Sequence, residues 1–412
     1  MQKNKRIALI GLLLLLTGLL TFACAEGTRE IIPEKAEHTT EVQKTEKRTP
    51  RLALWLAKKD ELLASEDAVY DLVMTGWVEP QEAQTINERH PQTMLLGGLS
   101  HTWVLMDDAW LRFFLTVANG GDADGALQIT EDMYLMKDAD GDGVLDKHCE
   151  MVGWEGLYAM DPRHEEWQTL VLSFYEVMGQ QEQHDGVIVD MVDAYPFCEG
   201  YQSAGVPQPL DAQIWIDGQA QLLDRIREKV PEKKWLIANA GHDFEAGSPF
   251  TQYLNGYLLE NFLGEWGAGL EDGLASAERA LETTRAPHIV VFAVDTDDSG
   301  EIDWQRFRTG LAASMLLDNT YFAFDYGARD HGGVRDYWFV EYYNMDLGEP
   351  LGAYRYEEGG YRRDFENGVV LIAHEGDVMQ TFEEAYKDLI MDESGKQFTV
   401  QQGDAGFFVV GE

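Results

Sequence analysis

Residues 185–195 read Asp-Gly-Val-Ile-Val-Asp-Met-Val-Asp-Ala-Tyr. Val187, Ile188 and Val189 form an unbroken β-branched run, the pattern of a central parallel strand covered on both faces. The run stops at Asp190, with Asp193 and Tyr195 just beyond, so carboxylates stand at the C-terminal edge of the strand. In a parallel barrel that edge carries the active site, which favours a strand-end acid over one on a solvated helix as a catalytic group. Capping of the next loop and ion binding are the competing uses of such an acid.

Working outward, residues 52–56, 70–75 and 93–96 predict three earlier strands, and residues 60–65 and 80–90 two helices. Downstream, Trp167, Leu170, Val171, Phe174 and Met178 recur at helical spacing and precede the quoted strand. A helix over 214–230 leads to a fifth strand, Trp235–Asn239, and residues 256–260 form a sixth that ends on Glu260. Helix Leu270–Thr283, a strand over 288–294, helix Trp304–Leu316 and a strand over 321–324 ending at Asp325 complete the alternation. Eight strands with intervening helices predict an α/β (β/α)8 TIM barrel over residues 51–327. A long insertion after the third strand, about 99–160, carries Trp103, Trp110, Phe113 and Phe114 and decorates the barrel mouth. Beyond Gly327 short aromatic strands and turns predict a small C-terminal β-domain over 328–412.

The 412 residues, 45% hydrophobic, suffice for one large core and a small second domain. Acidic residues number 73 against 32 basic ones, a net charge of −41 that bears on solubility and cation affinity and excludes nucleic acid as the expected partner. Residues 1–25 read as an export signal: Lys3, Lys5 and Arg6 precede an apolar run over 7–23. Thr21-Phe22-Ala23-Cys24 resembles a lipobox, which would lipidate Cys24 and tether the protein to a membrane at the bacterial cell envelope or surface. Ala23-Cys24-Ala25 also fits a small-x-small cleavage site for a secreted or periplasmic protein. The polar stretch 26–50, rich in Glu, Lys and Thr, suits a flexible tether and favours the lipoprotein reading. Cys149 and Cys198 remain in the exported chain, as a disulfide or as two buried thiols.

The strand ends supply Asp71, Asp190, Asn239, Glu260 and Asp325, with Trp55, Asp193 and Tyr195 as further substrate-binding candidates. Carboxylates and aromatic faces in one mouth suit a carbohydrate. Glycoside hydrolysis needs two carboxyl groups, one to protonate the leaving oxygen and one to attack the sugar or activate water. Asp190 on the fourth strand and Glu260 on the sixth are the natural pair.

Two stretches have the spacing of a structural Ca2+ loop, in which alternating oxygens surround the ion and a glycine permits the sharp turn. Asp138, Asp140, Asp142 and Asp146 with Gly143 form the first; Asp295, Asp297, Ser299 and Asp303 with Gly300 form the second. Cys149 and Arg306 occupy the place of the usual bidentate glutamate, so both depart from a sensor loop. A weaker third stretch joins Asp122 and Asp124 to Glu131, and Asx-type turns are the alternative use of all three. No nucleophile elbow, phosphate loop, zinc helix or paired Cys-x-x-Cys occurs, and His242 and His331 read as wall residues.

The quoted segment at 185–193, Tyr-Asp-Leu-Val at 70–73, Leu-Leu-Glu-Asn-Phe at 258–262 and Asp-Leu-Gly-Glu-Pro-Leu-Gly at 346–352 resemble hypothetical glycosyl hydrolase family 15. More distantly they are similar to the endo-α-1,4-polygalactosaminidases of glycoside hydrolase family 114. The resemblance covers about residues 51–372. It implies a TIM barrel and a retaining mechanism, with Asp190 matching the fourth-strand nucleophile and Glu260 the sixth-strand acid/base. The competing expectation is a non-catalytic carbohydrate-binding or calcium-dependent surface lipoprotein.

Overall fold

Eight short apolar runs pair in sequence order, each parallel to the last, in a computed structural model of the chain. The structure describes residues 50–55, 70–76, 78, 80–138, 140, 142–144, 146–151, 155–192, 201–203, 212–241, 248–265, 267–297, 299–326 and 341–411. The expected leader with Cys24, most of the tether, the 60–65 helix, Asp193, Tyr195, Cys198, His242 and His331 lie outside these residues.

The strands are β1 Ala53–Leu54, β2 Leu72–Thr75, β3 Met94–Gly97, β4 Gly186–Val189, β5 Trp235–Asn239, β6 Gly256–Leu259, β7 Ile289–Asp295 and β8 Thr320–Asp325. The Phe322 N–H donates to the Arg51 carbonyl at 3.0 Å, and Leu52 bridges Phe322 in parallel, so the last strand meets the first and the sheet closes. Gly256 is needed where β6 meets β7, because a Cβ there would lie 1.7 Å from the Ile289 carbonyl oxygen. Helices α1 Pro80–Arg89, α2 Glu165–Gln180, α3 Ala212–Lys229, α4 Leu270–Thr283 and α5 Trp304–Leu316 cover the outside. Between β5 and β6 the described residues form turns rather than a helix.

Side chains alternate along each strand. Ala53, Ile188, Ile237, Leu258, Ala293 and Ala323 belong to one cluster that fills the barrel. Val187, Val189, Leu236 and Leu259 belong to a larger cluster with helix residues such as Phe174, Leu222 and Leu274. Both faces of each strand are therefore buried, which explains the unbroken apolar runs.

The insertion folds onto this frame through its own aromatic residues. Its helix Asp108–Ala118 places Phe114 5.3 Å from Phe174 and 5.7 Å from Trp167 of α2. Trp103–Leu105 pairs antiparallel with Leu157–Ala159. Leu135–Lys137 pairs with Lys147–His148 on one side and with Tyr201–Ser203 on the other. Residues 201–203, downstream of β4, thus join the insertion in one sheet, a pairing that the sequence reading missed. Cys149 is fully buried here beside Trp103 and Trp215 and is disulfide-bonded; the expected partner, Cys198, lies outside the described residues.

The C-terminal domain is a separate antiparallel sheet. Its strands β9 Arg355–Glu357, β10 Gly360–Asp364, β11 Gly368–Ala373, β12 Val378–Asp388, β13 Glu393–Val400 and β14 Ala405–Val410 lie in the order β9-β10-β11-β14-β12-β13. It docks on α5, where Arg308 donates to both carboxylate oxygens of Asp404 at 2.8 and 2.6 Å. Arg363 reaches the Met315 carbonyl at 3.0 Å and Asp318 at 2.8 Å. Among the described residues no helix is long and apolar enough to cross a membrane.

Candidate active site

The alternation that fills the barrel also builds its mouth. Two residues beyond each of Ala53, Ile188, Ile237, Leu258, Ala293 and Ala323 stand Trp55, Asp190, Asn239, Glu260, Asp295 and Asp325. The corresponding positions on β2 and β3 are Gly76 and Gly98. Polar side chains are thus concentrated on the arc from β4 through β8 to β1.

Asn239 is the centre of this arc. Its side-chain amide donates to Asp190 Oδ1 at 2.9 Å and to Glu260 Oε2 at 2.9 Å. Its side-chain oxygen Oδ1 accepts the Gly241 N–H at 2.9 Å, which fixes the amide orientation. Both acceptors lie 2.9 Å from one nitrogen, so these two oxygens are no more than about 5.8 Å apart. The other oxygen of Glu260, Oε1, accepts the indole N–H of Trp55 at 3.2 Å.

Both acids sit where the chain turns sharply away from its strand. Met191, after Asp190, has φ 58°, and Asn261, after Glu260, has φ 50°. Asparagine tolerates this left-handed conformation, whereas for methionine it costs about 1–2 kcal/mol. Such strain collects at functional sites because only a well-fixed surrounding structure maintains it.

Asp190 is fixed from behind by residues that the sequence pattern had marked only as core or left unmarked. Its N–H donates to the Leu99 carbonyl at 3.2 Å, and its Oδ1 accepts the Met191 N–H at 3.0 Å. The Tyr175 hydroxyl from α2 donates to that same Leu99 carbonyl and accepts the Leu99 N–H at 3.3 Å. Trp167 donates to the His101 carbonyl at 3.0 Å. The fully buried His101 ring lies against the Asp190 main chain; burial pushes its pKa down to about 3, against the pull of the Asp190 backbone, so the ring is neutral.

Asp295, read from the sequence as part of a calcium loop, stands in the mouth. It lies in register with Asp325 across β7 and β8. Burial pushes its pKa up to about 7; the Asp297 N–H at 2.8 Å pulls it down, and the charges of Glu260, Asp297 and Asp325 push it up.

The placement of Asp71 is corrected here, and two of the expected calcium stretches engage other partners. Asp71 is not at the mouth: it precedes β2, and its Oδ2 accepts the Leu52 N–H at 2.7 Å where β1 begins, on the opposite rim of the barrel. The second proposed calcium loop gives its oxygens to other partners. Asp297 accepts from the Glu265 N–H at 2.9 Å and from Arg306 at 2.8 Å, the Ser299 hydroxyl meets the Glu301 carbonyl at 3.0 Å, and Asp303 caps α5 through the Arg306 N–H at 3.0 Å. The Arg306 guanidinium thus pairs with both Asp297 and Asp303. In the third stretch, Glu131 turns to His148 Nε2 at 2.7 Å.

The first loop differs. Asp138, Asp140 and Asp142 offer carboxylate oxygens within 4.8 Å of one another, and Gly143 turns at φ 88° with its N–H on Asp138 Oδ2 at 2.8 Å. Asp146 stands outside that cluster, its N–H on the Lys137 carbonyl at 3.2 Å. Hard oxygens at this spacing fit Ca2+.

The profile described as hypothetical glycosyl hydrolase family 15 matches residues 121–369, a span that contains Asp190, Asn239, Glu260, Asp295 and Asp325. No curated protein matches the sequence. The fold is similar to the glycoside hydrolase domain of PelA from Pseudomonas aeruginosa, with TM-score 0.40 and 14% identity over 69% of this chain and 99% of that one. It is also similar to the noncanonic maltogenic α-amylase AmyB from Thermotoga neapolitana, with TM-score 0.48 and 9% identity over 86% and 94% of the two chains. The isomalto-dextranase of Arthrobacter globiformis T6 gives TM-score 0.47 and 13% identity over 86% and 68%.

Proposed function

The chain belongs to hypothetical glycosyl hydrolase family 15, and from that premise we propose that it cleaves a poly- or oligosaccharide with retention of anomeric configuration, Asp190 acting as nucleophile and Glu260 as acid/base. The observation that carries this reading is the Asn239 amide shared by the two carboxyl groups. Retaining enzymes hold their carboxyl pair at roughly 5–5.5 Å and inverting ones at about 6.5–9.5 Å, to leave room for water. A single bridging amide supports the shorter distance.

The reaction then runs in two steps. Glu260 gives its proton to the glycosidic oxygen as the C–O bond breaks, and an Asp190 oxygen bonds to the anomeric carbon. Water then attacks that carbon, Asp190 leaves, and Glu260 recovers a proton from the water. Asn239 and Trp55 hold Glu260 through one hydrogen bond to each of its oxygens, so its carboxyl does not have to be ordered during the reaction. Asp325 and the Trp55 ring bind the sugar, together with Asp193 and Tyr195, which follow β4 in the sequence.

The proposal includes export with Cys24 as a lipid anchor to the cell envelope, on the strength of the basic and apolar leader. It also includes structural Ca2+ at Asp138, Asp140 and Asp142, supported by their converging oxygens.

Hydrolysis of a panel of charged and neutral polysaccharides tests the reading, run with the parent, Asp190→Asn and Glu260→Gln. Product release by the parent, lost in both variants while their circular dichroism stays unchanged, is the expected result. A folded variant that retains full turnover would remove its residue from the chemistry.

A further inference from the structure

The pairing of β3 with β4 is interrupted just before Asp190. Leu96 and Gly97 pair with Gly186 and Val187, and pairing resumes in the same register where Ser100 bridges Asp190. At the interruption stands the hydroxyl of Tyr175, a fully buried side chain of α2. It accepts the Leu99 N–H at 3.3 Å, donates to the Leu99 carbonyl and lies 3.4 Å from the Ile188 carbonyl oxygen. The strands stay close beside it: a Cβ on Gly98 would lie 1.8 Å from that Ile188 oxygen. A side chain from the helical layer thus satisfies backbone groups between two barrel strands.

Asp190 is attached to the same point. Its N–H donates to the Leu99 carbonyl at 3.2 Å, so one oxygen accepts from both Asp190 and Tyr175. A carbonyl has two lone pairs, and both are in use here. On its other side Asp190 leads into Met191, whose φ of 58° only firm surroundings maintain. Phe174 meets the Tyr175 ring edge to face, with centroids 5.3 Å apart. Packing therefore fixes the ring, the ring fixes the hydroxyl, and the hydroxyl fixes the Leu99 carbonyl on which Asp190 depends. Burial and the Asp190 charge push the Tyr175 pKa up, against the pull of the Leu99 contact, so the hydroxyl keeps its proton and serves as a support rather than a proton relay.

Resting on the retaining reading above, we propose that Tyr175 is a positioning residue: through the Leu99 carbonyl, its hydroxyl sets where the Asp190 carboxylate stands opposite the anomeric carbon. Attack needs the oxygen within roughly 3–3.5 Å of that carbon, and a misplacement of about 1 Å costs on the order of 100-fold in rate. Phenylalanine at this position fills the same space but leaves the Leu99 N–H and one Leu99 lone pair without this partner. β3 and β4 then lose their common anchor beside Asp190.

Tyr175→Phe in the full chain is read in two ways. Backbone hydrogen exchange followed by mass spectrometry needs no substrate. Residues 95–100 and 186–192 are expected to exchange at least tenfold faster than in the parent, while residues 289–295 of β7 keep the parent's rate. Unchanged exchange beside Asp190 overturns the proposal, and so does an equal rise in all three stretches, which is general loss of stability. On a glycan that the parent cuts, kcat is expected to fall roughly 10- to 100-fold, with KM within a few fold and both limbs of the pH profile in place. An unchanged kcat, or a loss confined to KM, overturns the positioning role. Leu274→Val, a core truncation in α4, is expected to keep the parent's kcat and the parent's exchange at 186–192; the Tyr175→Phe pattern in this control would also overturn the role. If Tyr175→Phe does not fold, Phe174→Leu, which loosens the ring and keeps the hydroxyl, is expected to give a smaller rise confined to 95–100 and 186–192, and parent-like exchange there overturns the proposal. Failure of the parent to cut any glycan counts against the proposed function, whereas the exchange result decides the Leu99 anchor independently of it.

Discussion

The indole N–H of Trp55, at the end of the first barrel strand, donates to Glu260 Oε1 at 3.2 Å, joining residues 205 positions apart. The bond crosses from β1 to β6 and occupies the one Glu260 oxygen that Asn239 does not hold. Trp55→Phe keeps an aromatic face and removes the donor. Hydrogen bonds to charged groups contribute about 1.5–3 kcal/mol, so a loss of roughly 10- to 100-fold in kcat is expected, with KM within a few fold. Steady-state kinetics on a cut glycan decides this, and a raised KM with unchanged kcat would make Trp55 a binding platform only.

Asp71 belongs to the other end of the barrel. Asp71→Ala leaves the buried Leu52 N–H without its side-chain acceptor, a destabilisation of about 1–3 kcal/mol by urea unfolding. Turnover of the folded fraction should equal that of the parent. A selective loss of kcat would return Asp71 to the mouth.

Asp295 makes stability pH-dependent in a direction that can be worked out. Its pKa is raised to about 7 in the folded protein, from about 3.9 for an unfolded aspartate. The folded state therefore binds more protons between these values, and stability falls as pH rises from about 4 to about 7. Asp295→Asn removes this contribution. Compared by urea unfolding at pH 5 and pH 8, the variant should lose less stability than the parent. An identical decline in both would show that Asp295 does not carry the proton.

Calcium at the first loop should stabilise the folded chain by mass action, roughly 2.7 kcal/mol at a hundredfold excess over Kd. Asp140→Asn removes one converging carboxylate and should abolish most of the calcium-dependent rise in Tm. Thermal unfolding with calcium and with chelator provides the comparison, and an equal rise in parent and variant would place the ion elsewhere.

The barrel was legible because burial on both faces leaves a strong mark: Val187 to Val189, Leu236 to Ala238 and Val290 to Val294 are runs that few other structures produce. Strand ends were legible where the run stopped cleanly, as at Asp190 and Glu260. Asp71 was misread because it lies within the apparent run 70–75 and was counted with the strand-end acids, although it stands at the N-terminal side of the strand. Asp295 was ambiguous because Asp-x-Asp-x-Ser-Gly has one chemistry in two uses. Oxygens of a kind that surround calcium here also cap α5 and bind Arg306. Asn239 was marked as a strand-end residue, but its bridging of two acids depends on β5 lying between β4 and β6 in the register observed, which no local pattern encodes.

The most direct test of the account is the anomeric configuration of the first product, followed by proton NMR during hydrolysis of a glycan that the enzyme cuts. A carboxyl pair bridged by Asn239 predicts that the first-formed sugar keeps the configuration of the bond that was broken, before mutarotation. An inverted first product would contradict the assignment of Asp190 as nucleophile.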